Sequence, residues 1–271
     1  MSDWRSNQVQ TNGITLHYQR TGNTAGIDKP PLVLCHGFSD CHVAWTRTAQ
    51  ALEDAFDIIM VDARGHGYSD KPENGYRSTD HAADIAGLID ALDLSQPALI
   101  GHSMGAATVA QLAAHYPQLT SRIVLEDPPW RETTAMPTNR GTQMQELVAM
   151  YQRMTREEIA EYGRGNNPTW DDEELWLWSL GKTLVSPHVV RDTSRLLTDW
   201  HTVVPKISCP TLLVTADPAK GGIVTPETAA DLADNYPNIK VAYIDGAGHN
   251  VRRDQFAAYS AAVRPFLLAS H

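Results

Sequence analysis

Short apolar runs set the pattern of this chain. Leu32 to Cys35, Ile58 to Val61, Ala98 to Ile100, Ile123 to Leu125 and Leu212 to Val214 are each continuous rather than alternating. Runs of this kind predict strands of a parallel sheet covered on both faces, since a half-exposed strand would alternate apolar with polar positions. Between the runs the period lengthens. In Ser78 to Leu94 the apolar Ala82, Ile85, Ile89 and Leu92 recur at three- and four-residue spacing, with Asp80, Asp84 and Asp90 elsewhere, which is the pattern of an amphipathic helix. Strand alternating with helix implies an α/β sheet with right-handed crossovers. Ahead of these units, Val9-Gln10 and Ile14 to Arg20 flank Thr11-Asn12-Gly13, a hairpin signal with Asn-Gly at the turn.

The rhythm breaks after Asp127-Pro128-Pro129. From Trp130 to about Val204 no convincing strand is visible, while Thr142 to Met154 and Asp171 to Leu184 read as amphipathic helices. Alternation resumes at Thr211. The economical division is a sheet core of residues 1–127 and 205–271 carrying an inserted helical cap at 128–204. That segment holds Trp130, Trp170, Trp176, Trp178 and Trp200, five of the seven tryptophans, together with Met136, Met144, Met150 and Met154. Such side chains can form the cap's own small core, line a pocket beneath it, or do both. Phe38, Trp130, Met144 and Trp178 are the candidate pocket residues.

Composition narrows the field. A chain of 271 residues can bury a substantial core. Its formal net charge of −10 argues against a nucleic-acid or anionic-membrane partner. Cys35, Cys41 and Cys209 show no C-x-x-C spacing, and Cys35 and Cys209 read as small buried hydrophobes. Met1 to Arg5 has no apolar leader, and no apolar stretch approaches the ~18–20 residues of a spanning helix. The expectation is a cytoplasmic protein with a small-molecule partner.

Candidate chemistry centres on Gly101-His102-Ser103-Met104-Gly105, set between the strand Pro97 to Ile100 and the helix-forming Ala106 to Ala114. A G-x-S-x-G in that setting is a nucleophile elbow, a sharp strand-to-helix turn that presents one hydroxyl. The helix N-terminus behind Ser103 places partial positive charge where an oxyanion would form. A serine needs a base, and the base a third group to hold it. His249, in the glycine-rich loop Asp245 to Asn250 after the strand Val241 to Ile244, is the candidate base. Asp217, directly after the strand Thr211 to Ala216, is the leading acid, with Glu126 and Asp127 after Ile123 to Leu125 as alternatives. The losing carboxylates would be helix caps or loop braces. Oxyanion donors are expected from the backbone amides of Met104 and Phe38, the latter on the loop His36 to Ser39. No H-x-H-x-D-H or H-E-x-x-H cluster is present, so no metal or other cofactor is called for.

Taken together, His36-Gly37-Phe38, Asp62-x-Arg64-Gly65-x-Gly67-x-Ser69, Gly101-x-Ser103-x-Gly105, Asp217 and Gly248-His249 resemble the α/β-hydrolase superfamily, in its order and over nearly the whole chain. The resemblance implies the α/β-hydrolase fold: a mostly parallel eight-stranded sheet flanked by helices, with a helical cap inserted after the sixth strand. It also implies a Ser-His-acid hydrolase. Ser103, where other branches carry Asp, speaks against haloalkane dehalogenases and epoxide hydrolases. His102 is more similar to esterases and lactonases than to carbon–carbon-bond hydrolases. The loop after Asp217 departs from the family's usual acid loop, because the carboxylate follows the strand at once. In overall pattern the chain is similar to bacterial esterases that open N-acyl homoserine lactones and so quench quorum signals. The expected substrate is therefore an ester or lactone. A receptor that uses the capped pocket only to bind, and perhydrolase, haloperoxidase-like or carbon–carbon-bond hydrolase chemistry on the same triad, are the rival readings.

Overall fold

A computed structural model describes residues 4–22, 28–131, 139–191 and 199–269. Its centre is an eight-stranded sheet: β1 (Arg5–Thr11), β2 (Ile14–Arg20), β3 (Pro31–Cys35), β4 (Asp57–Val61), β5 (Ala98–His102), β6 (Arg122–Glu126), β7 (Thr211–Thr215) and β8 (Ile239–Tyr243). The spatial order is β1-β2-β4-β3-β5-β6-β7-β8. β1 and β2 form the predicted hairpin, and Asn12 and Gly13 at its tip both take the positive φ that a two-residue turn of this kind requires. β2 also runs antiparallel to β4, whereas every pair from β4 to β8 is parallel.

Side chains alternate across the sheet into two cores. Val33, Leu99, Ile123 and Leu213 face α2 (Ser78–Ala91) and α3 (Met104–His115). Leu34, Ile100, Val124 and Val214 face α1 (Thr46–Leu52) and α9 (Phe256–Leu268). Both faces are covered, so the strands read as continuous apolar runs. Each such aliphatic side chain contributes about 1.5–3 kcal/mol by leaving water.

Strand order reverses beside β3, where β4 lies on one side and β5 on the other. In open α/β sheets a crevice forms at the carboxyl ends of the strands at such a reversal, and ligands bind there. Two helices cover it, α4 (Arg140–Tyr151) and α6 (Asp172–Leu184), with α5 (Arg156–Asn166) packed against α6. Thr155 caps α5 through a reciprocal box with Glu158, and Asp171 caps α6 through the amide of Glu174. Among the described residues of 128–204 there is no strand. These helices have a core of their own, where Tyr151, Ile159, Trp170, Leu175 and Trp178 pack with Met150 and Met154. Met136 lies outside the described residues.

Candidate active site

Ser103 occupies the turn between β5 and α3 with φ +52° and ψ −113°. A non-glycine residue with positive φ costs about 1–3 kcal/mol and persists only where the surroundings enforce it. They do so here by close packing. A Cβ on Gly105 would stand 2.0 Å from the Cys35 carbonyl oxygen at the end of β3, so the first turn of α3 can approach the sheet only without a side chain. Met104 is the first residue of α3, and its amide has no intrahelical carbonyl to meet.

His249 Nε2 lies 3.0 Å from Ser103 Oγ. Its Nδ1 lies 2.6 Å from Asp127 Oδ2, a fully buried carboxylate. Asp127 also has positive φ, +41°. The amides of Ile223 and Val224 donate to its carboxylate at 2.9–3.1 Å. It is thus held on one side by two amides and points its free lone pairs at the imidazole.

The expectation that Asp217 fills this place is corrected by the geometry. Asp217 caps the short 3₁₀ turn Pro218–Lys220, and its carboxylate accepts the amide of Ala219 at 2.8 Å. Its backbone N–H donates to Ala247, so the loop is close to His249 while the side chain is committed to its own turn. The loop after β7 supplies the amides that hold Asp127 instead. Glu126 points to the other face, where its carboxylate accepts the Arg252 amide and guanidinium, both at 3.0 Å. Burial pushes the Glu126 carboxyl upward although Arg252 opposes the shift.

The loop after β3 is tied down by His36. The Ala63 amide donates to its Nε2, which leaves Nδ1–H to donate to the Gly37 carbonyl at 2.7 Å. Burial holds the His36 imidazole below its ordinary range and so favours this neutral form. His102, beside Ser103, is buried and held well below the histidine range, chiefly by desolvation. Its Nε2 donates to the His249 carbonyl at 3.0 Å, and the two rings lie 4.8 Å apart. The bracing role of His102 is not legible in the sequence, because its partner is 147 residues away.

Ser103, Met104 and His249 line a cavity of about 530 Å³. Phe38, Met144, Leu147, Trp178 and Trp200 provide apolar walls. Trp130 is not among them. It is fully buried and stacks on Trp200 with ring centroids 5.8 Å apart, so it backs the wall rather than forming it.

A second cluster, His17, His42 and Asp62, has its ligating atoms within 4.8 Å of one another. Hydrogen bonds account for it: Asp62 accepts from His17 Nδ1 at 2.7 Å, from the His42 ring and amide, and from the Tyr68 amide. This carboxylate gathers the loops beneath the site. Among the described residues no helix is long and apolar enough to cross a membrane.

Comparison with known proteins agrees with the fold. The alpha/beta hydrolase fold family matches residues 30–161. An N-formylmaleamate deformylase of Pseudomonas putida is 32% identical over 268 residues, covering 96% of this chain and 95% of that protein. The chain belongs to the α/β-hydrolase family. A 2-(acetamidomethylene)succinate hydrolase of Mesorhizobium japonicum is 29% identical over 262 residues, 91% of this chain and 89% of the relative. The crystal structure of an E-2-(acetamidomethylene)succinate hydrolase aligns with a TM-score of 0.81 at 26% identity, covering 98% of this chain and all of the other. This α/β-hydrolase is accordingly an enzyme of the hydrolase class.

Proposed function

We propose that this α/β-hydrolase cleaves carboxylic acid derivatives through an acyl-enzyme on Ser103. The observation that carries the reading is the continuous relay from Asp127 through His249 to Ser103 Oγ, with contacts of 2.6 and 3.0 Å. Ser103 attacks the substrate carbonyl as His249 Nε2 takes its proton. Asp127 holds Nδ1–H and stabilises the imidazolium. The amides of Met104 and Phe38 receive the oxyanion. His249 then protonates the leaving group, and water, activated by the same base, releases the acyl group.

The apolar walls of the cavity support an ester or lactone with an apolar part. N-acyl homoserine lactones are within that class. A second reading is favoured by the relatives: both are named for substrates in which an acyl group sits on nitrogen of a small carboxylic acid. The same relay serves, with His249 protonating nitrogen instead of oxygen.

The test is labelling of Ser103 by a fluorophosphonate probe, followed by turnover of a panel of p-nitrophenyl esters, acyl lactones and N-acyl carboxylates (N-formyl amides and N-acetyl enamines). One-to-one labelling abolished in Ser103→Ala, with turnover of at least one class, supports the reading. A folded protein that is neither labelled nor active on any of the three refutes it and leaves the binding-protein alternative.

A further inference from the structure

Asp40, Lys182 and Arg253 line the cavity beside Ser103 and belong to a buried charge network that the proposed chemistry does not use. The Asp40 carboxylate accepts Lys182 Nζ at 2.6 Å and Arg253 Nη1 at 3.1 Å, with Arg252 Nη2 3.9 Å away. Arg253 Nε donates to Glu174 at 2.5 Å, and Arg252 pairs with Glu126. Every member is buried. Burial alone would push the Asp40 carboxyl up, but Arg253, Lys182 and Arg252 together hold it well below the usual carboxylate range.

Each member sits on a segment that carries part of the site. Asp40 follows Phe38 on the oxyanion loop. Glu174 and Lys182 belong to the cap helix α6, Glu126 adjoins Asp127, and Arg252 and Arg253 lie on the short helix α8 (Val251–Asp254) behind His249. Stability alone does not account for the arrangement. Taking charges out of water costs several kcal/mol per ion, and apolar residues of equal volume often serve as well.

The backbone shows what the network restrains. The Asp40 amide donates to the Gly37 carbonyl, closing a turn with Phe38 and Ser39 at its centre. Ser39 has φ +59°, where such turns prefer glycine. A turn with a disfavoured residue at this position holds one geometry only when outside contacts over-determine it. α6 provides one such contact: a Cβ on Gly181 would lie 2.8 Å from the Asp40 Cα and from the Ser39 carbonyl oxygen, so the helix backbone rests on the turn. The ion pairs provide the other.

We propose that Asp40, clamped between Lys182 of the cap and Arg253 of the base loop, is a positioning residue that aims the Phe38 amide at the developing oxyanion. The inference rests on the acyl-enzyme reading above. It makes the cap a part of the transition-state machinery as well as a lid. Neither Asp40 nor Lys182 touches the reacting atoms in this scheme. Both act through the turn.

The test uses the full-length protein and the variants Asp40→Asn, Lys182→Met and their combination. Three quantities are read: kcat and KM on an active ester, the inhibition constant of phenylboronic acid as a tetrahedral oxyanion mimic, and the melting temperature. A misplaced donor should lower kcat by about 10²-fold while KM changes by less than about threefold. Boronate affinity should fall in parallel with kcat. The double variant should be no slower than Asp40→Asn alone, since the pair acts as one unit. It also removes both charges together, so it serves if a single variant fails to fold. Folded variants with unchanged kcat and boronate affinity would overturn the proposal while the acyl-enzyme reading stood. So would losses confined to KM or melting temperature. A wild-type protein that is never acylated would remove that reading, and this inference with it.

Discussion

Replacing Asp127 by Asn tests the relay most directly. Asn is isosteric, and its Oδ1 can keep accepting the amides of Ile223 and Val224, which fix that side of the group. The Nδ2 amide then faces His249 Nδ1 across the 2.6 Å contact now made by Asp127 Oδ2. Two N–H donors cannot face each other, so His249 must carry its proton on Nε2, the nitrogen turned toward Ser103. In that tautomer it has no lone pair with which to accept the serine proton. A serine triad deprived of its carboxylate in this way loses about 10⁴ in kcat, which corresponds to about 5.4 kcal/mol of transition-state stabilisation. Asp217→Asn is the matched control. Asn caps a turn nearly as well as Asp, so the expected change in rate is less than about threefold. The assay is kcat/KM on a p-nitrophenyl ester together with the second-order rate of fluorophosphonate labelling, each referred to active-site concentration. If Asp217→Asn silences the enzyme while Asp127→Asn retains more than about a tenth of its activity, the reasoning is refuted.

Three further outcomes are expected. The thiols of Cys35 and Cys209 are pushed up by burial to about 12 and about 11, and Cys41 is raised and buried as well; a disulfide-exchange reagent at pH 8 should therefore titrate three thiols in denaturant and essentially none in the native protein. Burial lowers His36 and His102, so the folded state disfavours their protonation. The unfolded chain takes up those protons near pH 6.5, so the melting temperature should fall as pH drops below about 6.5, and a flat profile between pH 7 and 5 would contradict it. Trp178→Ala removes a cavity wall and the ring that packs against Tyr151 and Trp170 at 6.2 Å; a loss of about 3–5 kcal/mol in chemical denaturation is expected, with a raised KM for esters having a bulky acyl part.

Much of this protein is written in local pattern. Strands buried on both faces must be apolar without interruption, so their runs locate five parallel strands directly. The elbow is equally local, because Gly101, Ser103 and Gly105 answer to a turn made within five residues. His249 was legible for the same reason, since its glycine-rich loop follows a strand of recognisable composition. The acid was not. β6 and β7 are neighbours, and Asp127 and Asp217 both stand at their carboxyl ends. What separates the two is which carboxylate the fold turns toward the imidazole and which it leaves capping a nearby amide, and no short-range pattern encodes that direction. The same holds for Trp130, a wall residue by composition but fully buried behind Trp200 in the structure. It holds most of all for Asp40, Lys182 and Arg253, unremarkable charges in the sequence that meet only after contacts spanning 142 and 213 residues have formed. Local sterics and apolar periodicity make the sheet and the nucleophile readable from the chain. The pairing of buried charges depends on distances that only the folded whole creates.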